Sequence, residues 1–348
     1  MPSPAFSAAR TPAPDHLALP QHAPLVAAVR SGLVESVHYG SALALRRDGS
    51  TAATAGDPEA PFYPRSSLKP LQAVAMVRAG LDLPADLLAL AAASHSGDSR
   101  HRDGALRILE LHGLSAADLE NSTDLPYGTA ERGEWLRNGG KTTQLTQNCS
   151  GKHAAMAATC AINGWPVRGY LEPSHPLQQL VAATVSELTG EEPAAISTDG
   201  CGTPLFALTL RGMARAFGII ARAAGQADGT PDDGGPASRS AEAAVGLAMQ
   251  QHPHMVAGEG RDVTELMRLV PGAVAKDGFE GVQLVGLADG SAAAVKISDG
   301  GDRARMPATV RLLDALGFDT GPLAPIATAP VLGGGHEVGR LQATDFLN

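Results

Sequence analysis

Aromatic residues, cysteine and lysine are scarce in this chain of 348 residues. Aromatic side chains make up 4% of it, whereas apolar residues reach 44%, so the core has to be packed from alanine, leucine and valine. Three cysteines in so long a chain do not form a disulfide framework, which leaves metal ligation, free thiols or plain packing. Only five of the 27 basic residues are lysine, so each lysine is a candidate for chemistry that arginine cannot perform.

Long apolar runs and an excess of positive charge are also missing. No stretch approaches the roughly 18 consecutive apolar residues of a membrane span, and the N-terminus lacks the basic and apolar segments of a signal peptide. We therefore expect a cytoplasmic protein without a membrane partner. The net charge of −9 argues against nucleic acid, because affinity for phosphates depends on clustered Lys and Arg. A small-molecule partner is the better expectation.

The order of strand-like and helix-like patterns predicts an α+β fold. Residues 1–22 are rich in Pro and Ala without apolar periodicity, and we expect a flexible leader there. Strand-like segments with an Asp-Gly turn at 48–49 follow, and a second Asp-Gly turn joins two strand-like runs within 282–297. Strands at both ends around a helical middle predict an antiparallel sheet with helices packed on it.

The helical middle begins at Ser66, where apolar residues take up helical spacing. Further helices are predicted over 86–93, 101–112, 152–163, 175–188, 205–223 and 241–252. Residues 225–240 are predicted to be an exposed loop, because they have no means of burying apolar surface. We expect residues 23–348 to form a single catalytic unit, or two intimate subdomains with the helical part near 66–270.

A serine and a lysine lie three residues apart at the predicted start of that helix. This spacing places Ser66 and Lys69 on one face, where a neutral amine can activate a serine hydroxyl as a nucleophile. The alternative is a helix-capping serine beside an exposed lysine.

A second polar group, Ser94-His95-Ser96-Gly97-Asp98, directly follows the apolar run LLALAAA. Polar side chains at the end of a buried element are placed to face a cleft. The alternative is a turn in which Ser and Asp cap the next helix.

Two of the cysteines are flanked by glycine and polar residues, unlike cysteines that pack in a core. Cys149 lies in Asn-Cys-Ser-Gly-Lys-His and Cys201 in Asp-Gly-Cys-Gly, whereas Cys160 has apolar neighbours. Cys149 and Cys201 are therefore candidates for metal ligands, a disulfide, or a nucleophile with a bystander. Two thiolates suit zinc, and a cytoplasmic location argues against the disulfide.

Taken together, these motifs resemble the asparaginase II family, typified by the inducible Rhizobium asparaginase. The motifs are Ser66-x-x-Lys69-Pro70-Leu71-Gln72-Ala73, Ala93-Ser94-His95-Ser96-Gly97, Asn148-Cys149-Ser150-Gly151-Lys152-His153 and Asp199-Gly200-Cys201-Gly202-x-Pro204. The resemblance runs from about residue 25 to Gly333-Gly334-Gly335-His336, and four ordered motifs are far more specific than one. Asp98 stands where we would expect Glu.

The resemblance implies a fold similar to that of serine β-lactamases and glutaminases, and hydrolysis of L-asparagine to aspartate and ammonia. It implies two Ser-Lys pairs, Ser66 with Lys69 and a serine of the Ser-His-Ser loop with Lys276, and we favour Ser94 over Ser96. It also implies a homodimer.

The resemblance further implies a zinc ion held by Cys149, Cys201 and the neutral amine of Lys152, with Asp199 close by. The residues that we expect to support the site or bind substrate are His95, Ser96, Asn148, His153 and Asp199.

Other functions compatible with these motifs are a glutaminase or another serine amidohydrolase. A non-catalytic amino-acid-binding module with a structural zinc is the alternative from a different class.

Overall fold

The computed structural model describes residues 19–227 and 239–347. The strands are β1 (Ala23–Arg30), β2 (Leu33–Leu45), β3 (Thr51–Ala55), β4 (Ala195–Thr198), β5 (Pro204–Ala207), β6 (Val274–Gly278), β7 (Val282–Gly286), β8 (Ala292–Ile297), β9 (Ala329–Gly333) and β10 (His336–Ala343). The α-helices are α1 (Lys69–Arg78), α2 (Ala85–Ala91), α3 (Ser99–Leu111), α4 (Thr129–Arg137), α5 (Ser150–Ile162), α6 (Pro176–Thr189), α7 (Leu210–Ala227), α8 (Ala241–Gln251), α9 (Pro253–Val256), α10 (Asp262–Leu269), α11 (Arg305–Ala315) and α12 (Ala324–Ala327). Most of the predicted leader and most of the predicted loop 225–240 lie outside the described residues.

Eight strands form one antiparallel sheet drawn from both ends of the chain. Its order is β6-β7-β8-β2-β1-β10-β9, with β3 also paired to β2. β1 pairs with β10 from Val26 opposite Ala343 to Arg30 opposite Gly339, which joins the two ends directly. The predicted α+β class, with an antiparallel sheet and helices packed on it, is confirmed. β4 and β5 form a separate two-stranded ladder.

Helices cover both faces of the sheet at its centre. Successive side chains of a strand point to opposite faces of the sheet, and in β7 and β8 side chains on both faces are buried. α7 and α11 pack against these strands. A Cβ at Gly286 of β7 would lie 2.1 Å from the Phe217 carbonyl oxygen of α7, so only glycine permits this approach of helix and strand. Small residues thus allow the backbones of helix and strand to pack closely, which fills the core without large aromatic side chains.

Both predicted Asp-Gly turns join antiparallel strands. The first connects β2 to β3, where Gly49 has a φ of 82°, and the second connects β7 to β8, where Gly290 has a φ of 96°. Such positive φ values favour glycine, so the turn residues indicated the hairpins correctly.

One predicted helix boundary is wrong. The helix predicted over 205–223 begins only at Leu210, because Leu205 and its neighbours form β5 against β4. A short apolar run does not distinguish a buried strand from a buried helix. Several helices were not predicted, among them α4, α10 and α11. None of the helices within residues 19–227 and 239–347 is long and apolar enough to cross a membrane.

Candidate functional site

Five segments that are far apart in the chain bring the predicted site residues together. They are the turn before α1, the loop after α2, the first turn of α5, the connection between β4 and β5, and strand β6. The side chains that they contribute include Ser66, Lys69, Ser94, Cys149, Lys152, Asp199, Cys201 and Lys276. The packing of β6 against the turn before α1, and of α1 and α2 against α5, therefore assembles the site.

Ser66 lies in a 3-10 turn, Arg65–Leu68, that leads into α1. The residue before it, Arg65, has a φ of 53°, which is uncommon for a residue other than glycine and marks local backbone strain. A Cβ at Gly278 of β6 would lie 2.3 Å from the Pro64 carbonyl oxygen, so β6 packs tightly against this turn. This close packing holds the half-buried side chain of Ser66 beside β6, the strand that carries Lys276.

The Lys69 amine is buried and contacts three acceptors. Its Nζ lies 2.6 Å from the Ala93 carbonyl oxygen, 2.8 Å from Ser94 Oγ and 3.0 Å from Cys149 Sγ. None of these three acceptors belongs to Ser66. Sequence spacing suggested a pair with Ser66, whereas the hydrogen bond that forms is with Ser94.

Lys276 is fully buried on β6 and is held by its neighbour in the chain. Its Nζ donates to the Asp277 carbonyl oxygen at 2.9 Å and to the Asp277 carboxylate. Burial lowers the pKa of Lys276 to about 8, the Lys69 cation acts in the same direction, and the Asp277 carboxylate opposes the shift. This amine therefore exchanges its proton close to neutral pH.

The two glycine-flanked cysteines and Lys152 form one buried cluster. Lys152 Nζ lies 3.1 Å from Cys201 Sγ and 3.0 Å from Thr203 Oγ1. A hydrogen bond with Cys201 raises the pKa of the Cys149 thiol well above its usual value, and the same bond lowers that of Cys201. Cys149 also contacts Lys69, so this cluster is continuous with the serine and lysine side chains.

His153 borders the cysteine cluster. Its Nδ1 is 2.9 Å from the Tyr170 hydroxyl, and burial lowers the pKa of its imidazole to about 4. Its Nε2 is buried and has no hydrogen-bond partner among the residues that the structure describes. The neutral imidazole therefore lies beside the Cys201 thiol, at the edge of the cluster.

Asp199 connects the cysteine loop to the serine turn. Its carboxylate accepts a hydrogen bond from Arg65 Nε at 2.7 Å, in an ion pair that is mostly buried. The residue expected near a metal thus also fixes the strained turn that carries Ser66.

The Ser-His-Ser loop presents only one of its three polar side chains to Lys69. Ser94 contacts that amine, whereas Ser96 Oγ donates to the Ala257 carbonyl oxygen at 3.0 Å. His95 is buried, is 2.9 Å from Ser150 Oγ and stacks on His101. Burial holds the pKa of His95 well below its usual value. Ser96 and His95 are therefore placed to support the loop, and Asp98 caps α3 as the alternative interpretation of this motif proposed.

Ser66 and Ser94 line one small cavity. Its volume is about 20 Å³, and it is lined by Ser66, Ser94, Tyr127, Asn148, Arg261, Asp277, Gly278, Phe279 and Asp302. On this measure one water needs at least about 10–15 Å³, so the space holds about one water. Tyr127, Arg261, Phe279 and Asp302 were not found from the sequence, because no motif or spacing connects them to the serines.

The donors available for a metal are two thiols and an amine. In the described part of the chain, no group of three or more His, Cys, Asp or Glu side chains could hold a metal ion. Cys149, Cys201 and Lys152 together supply three donors, two sulfur atoms and one nitrogen atom. These residues fit a zinc ion, which takes sulfur and nitrogen ligands in a tetrahedral arrangement.

Comparison with known proteins gives one family. The sequence profile described as L-asparaginase II matches residues 26–343, which is most of the chain. No curated protein is significantly similar in sequence.

Among solved structures, one described as "Crystal Structure Analysis of Mglu" is 16% identical with a TM-score of 0.35, over 80% of this chain and 67% of that one. One described as Mglu "in its glutamate form" is 16% identical with a TM-score of 0.36, over 80% of this chain and 61% of that one.

Proposed function

Because the chain belongs to the L-asparaginase II family, we propose that it hydrolyses the side-chain amide of L-asparagine with a serine nucleophile activated by lysine. The observation that carries the proposed chemistry is the placement of Ser66 and Ser94 on one cavity, with the buried amine of Lys69 hydrogen-bonded to Ser94. A serine hydroxyl is a weak nucleophile until a base takes its proton, and a neutral lysine can be that base.

In the proposed reaction Ser66 attacks the amide carbon of asparagine. Lys69, through its contact with Ser94, takes up the proton, and the lysine pair returns it to the leaving ammonia. Lys276 is the second amine, and only its neutral form can share the proton that Lys69 takes up. Water then releases aspartate from the acyl-enzyme by the same steps in reverse.

Ammonia release from purified protein tests the function. L-asparagine should be hydrolysed, and L-glutamine should be a poorer substrate, although one methylene changes recognition by only about 1 to 3 kcal/mol. Equal or preferred use of glutamine would favour a glutaminase. Binding of asparagine without ammonia release would favour a non-catalytic binding module.

The rate should rise with pH through the ionisation of Lys276. A protonated amine cannot accept a proton, and the pKa of Lys276 is about 8, so the fraction of enzyme with a neutral amine grows as the pH rises through 8. We expect kcat/KM to rise about tenfold per pH unit below this value and to level off above it. In Lys276→Arg, whose cation is permanent, the rising limb should disappear together with most of the activity. A flat profile between pH 6 and 9 in the unaltered enzyme would contradict this assignment.

We also propose that Cys149, Cys201 and Lys152 hold a zinc ion. Their support is the shared buried cluster, in which Lys152 and Cys201 already lie 3.1 Å apart. When bound, zinc would supply a positive charge and Lewis acidity beside Lys69. The lone pair of Lys152 is available only when its amine is neutral, which a neighbouring cation favours.

Metal analysis of purified variants tests the zinc site without reference to activity. The unaltered protein should contain about one zinc per chain, and Cys201→Ser about a tenth of that or less, because a hydroxyl is a poor zinc ligand. Cys160→Ala is the matched control, since Cys160 is buried away from the cluster and should leave the zinc content unchanged. Equal zinc in the unaltered protein and Cys201→Ser would refute the site.

The family resemblance also implies a homodimer. The homodimer and the cytoplasmic location that the sequence led us to expect both belong to the proposal.

A further inference from the structure

One arm of a partly buried guanidinium group at the serine cavity, that of Arg261, is unused. Arg261 precedes α10, and its Nη2 donates to Asp277 Oδ2 at 3.0 Å. Its Nη1 is buried, and no hydrogen bond to it is found within the described ranges 19–227 and 239–347. Most buried polar groups are paired, and a charged donor without an acceptor costs more than a neutral one. An arm left free in this way indicates a place for an acceptor that the protein itself does not supply.

The unused arm belongs to a group that is already fixed in position. Asp277 pairs with one side of the guanidinium group. The central carbon of that group, Arg261 Cζ, lies over the Tyr127 ring, 4.9 Å from the ring centroid. Arg261 and Tyr127 both line the cavity of Ser66 and Ser94. A donor held in this way loses little conformational freedom on binding, which favours affinity.

The acceptor that fits is a carboxylate. The Arg guanidinium is always charged and matches carboxylate geometry, and charge-assisted hydrogen bonds are about twice as strong as neutral ones. An amino acid with a side-chain amide offers one anionic group, its α-carboxylate, at the end opposite the reacting amide. The carboxylate of Asp302 lines the same cavity, where it pairs with Arg305 Nε at 3.2 Å, and its negative charge suits the α-ammonium group. The lining thus carries charges of both signs, as a zwitterion requires.

We infer that Nη1 of Arg261 binds the α-carboxylate of the substrate and thereby selects the side-chain amides of α-amino acids over simple amides. This inference rests on the proposed function, because it assumes that the serine cavity receives the substrate. It makes Arg261 a specificity-determining residue that contacts the substrate away from the reacting atoms.

The kinetic test compares two substrates that differ only in the carboxylate. L-asparagine carries it, and 3-aminopropanamide is asparagine without it. Arg261→Gln should lower kcat/KM for L-asparagine about 10- to 100-fold, mainly through KM, because a hydrogen bond to a charged group contributes about 1.5 to 3 kcal/mol. The kcat/KM for 3-aminopropanamide should be low in the unaltered enzyme and change less than about threefold in the variant.

Arg268→Gln is the matched control. Arg268 lies on α10 and forms ion pairs with Glu259 and Glu265 at the surface, so the same change of charge there should leave both substrates unaffected. Equal losses for the two substrates in Arg261→Gln would overturn the inference, because they would mean that Arg261 acts on the reaction or on folding. An unchanged KM for asparagine would overturn it as well.

Calorimetric binding separates this inference from the proposed activity. L-aspartate and β-alanine differ by the same α-carboxylate, and neither has to react. The unaltered protein should bind L-aspartate more tightly than β-alanine, and Arg261→Gln should abolish the difference. That result without ammonia release would retain the inference and reject the activity. Ammonia release with a preference for aspartate that survives in the variant would retain the activity and reject the inference, and failure of both measurements would reject both.

Discussion

Replacement of Ser66 by alanine should lower kcat for asparagine hydrolysis by about 10⁴-fold or more, because no acyl-enzyme can form without the nucleophile. The expected loss is this large because the other groups of the site act on the reaction that Ser66 begins. The change removes one half-buried hydroxyl at the cavity, so zinc content and thermal stability should stay close to those of the unaltered protein. Ammonia release measured with excess enzyme gives the residual rate.

The matched control for this change is Ser67→Ala. Ser67 lies in the same turn, but its hydroxyl donates to the Pro64 carbonyl oxygen at 2.8 Å and does not line the cavity. Its loss should affect stability more than turnover. Rapid quenching followed by peptide mass analysis should locate an aspartyl adduct on Ser66. An adduct on Ser94, the serine that Lys69 contacts, would transfer the role of nucleophile to that residue and contradict the proposal.

Replacement of Lys69 by methionine should lower kcat about 10²- to 10⁴-fold, the usual contribution of a general base. Methionine has a similar length and suits a buried position, so the packing of α1 should persist. Lys69→Arg separates two roles of the side chain. Arginine keeps the positive charge but does not give up its proton, so it should be as inactive as methionine if Lys69 is the base.

A substantial recovery of activity in Lys69→Arg would show that a positive charge at this position is enough, and it would contradict the assignment of Lys69 as the base. Lys141→Met serves as the control for the removal of a lysine, because Lys141 is exposed and does not line the cavity. It should retain full activity. Circular dichroism and melting temperature of each variant identify any loss that results from unfolding.

Local chemistry made much of the sheet predictable. Asp-Gly turns fixed the hairpins at Gly49 and Gly290, since few residues adopt a positive φ without strain. The glycine-flanked setting of Cys149 and Cys201 distinguished them from Cys160, and the structure brings the first two together with Lys152. Residue types with unusual neighbours could therefore be found without any knowledge of the fold.

What the sequence could not provide was the partner of each side chain. Lys69 reaches Ser94 because the loop after α2 packs against α1, and a spacing of three residues says nothing about that loop. Arg261 carries no motif, and only the register of β6 brings Asp277 to it. The predicted helix over 205–223 overlaps strand β5, because the residues of β5 are all apolar and so short an apolar run does not distinguish a strand from a helix.

The single-water cavity has a consequence for how the enzyme meets its substrate. A space of about 20 Å³ is too small for an amino acid in the described conformation, and the exposed side chains of Tyr127 and Phe279 form part of its wall. Substrate binding then requires the cavity to open. The apparent dissociation constant of the substrate equals the intrinsic constant divided by the fraction of the protein whose cavity is open. Substitutions that make the wall at Tyr127 or Phe279 smaller should raise the open fraction and so tighten apparent binding.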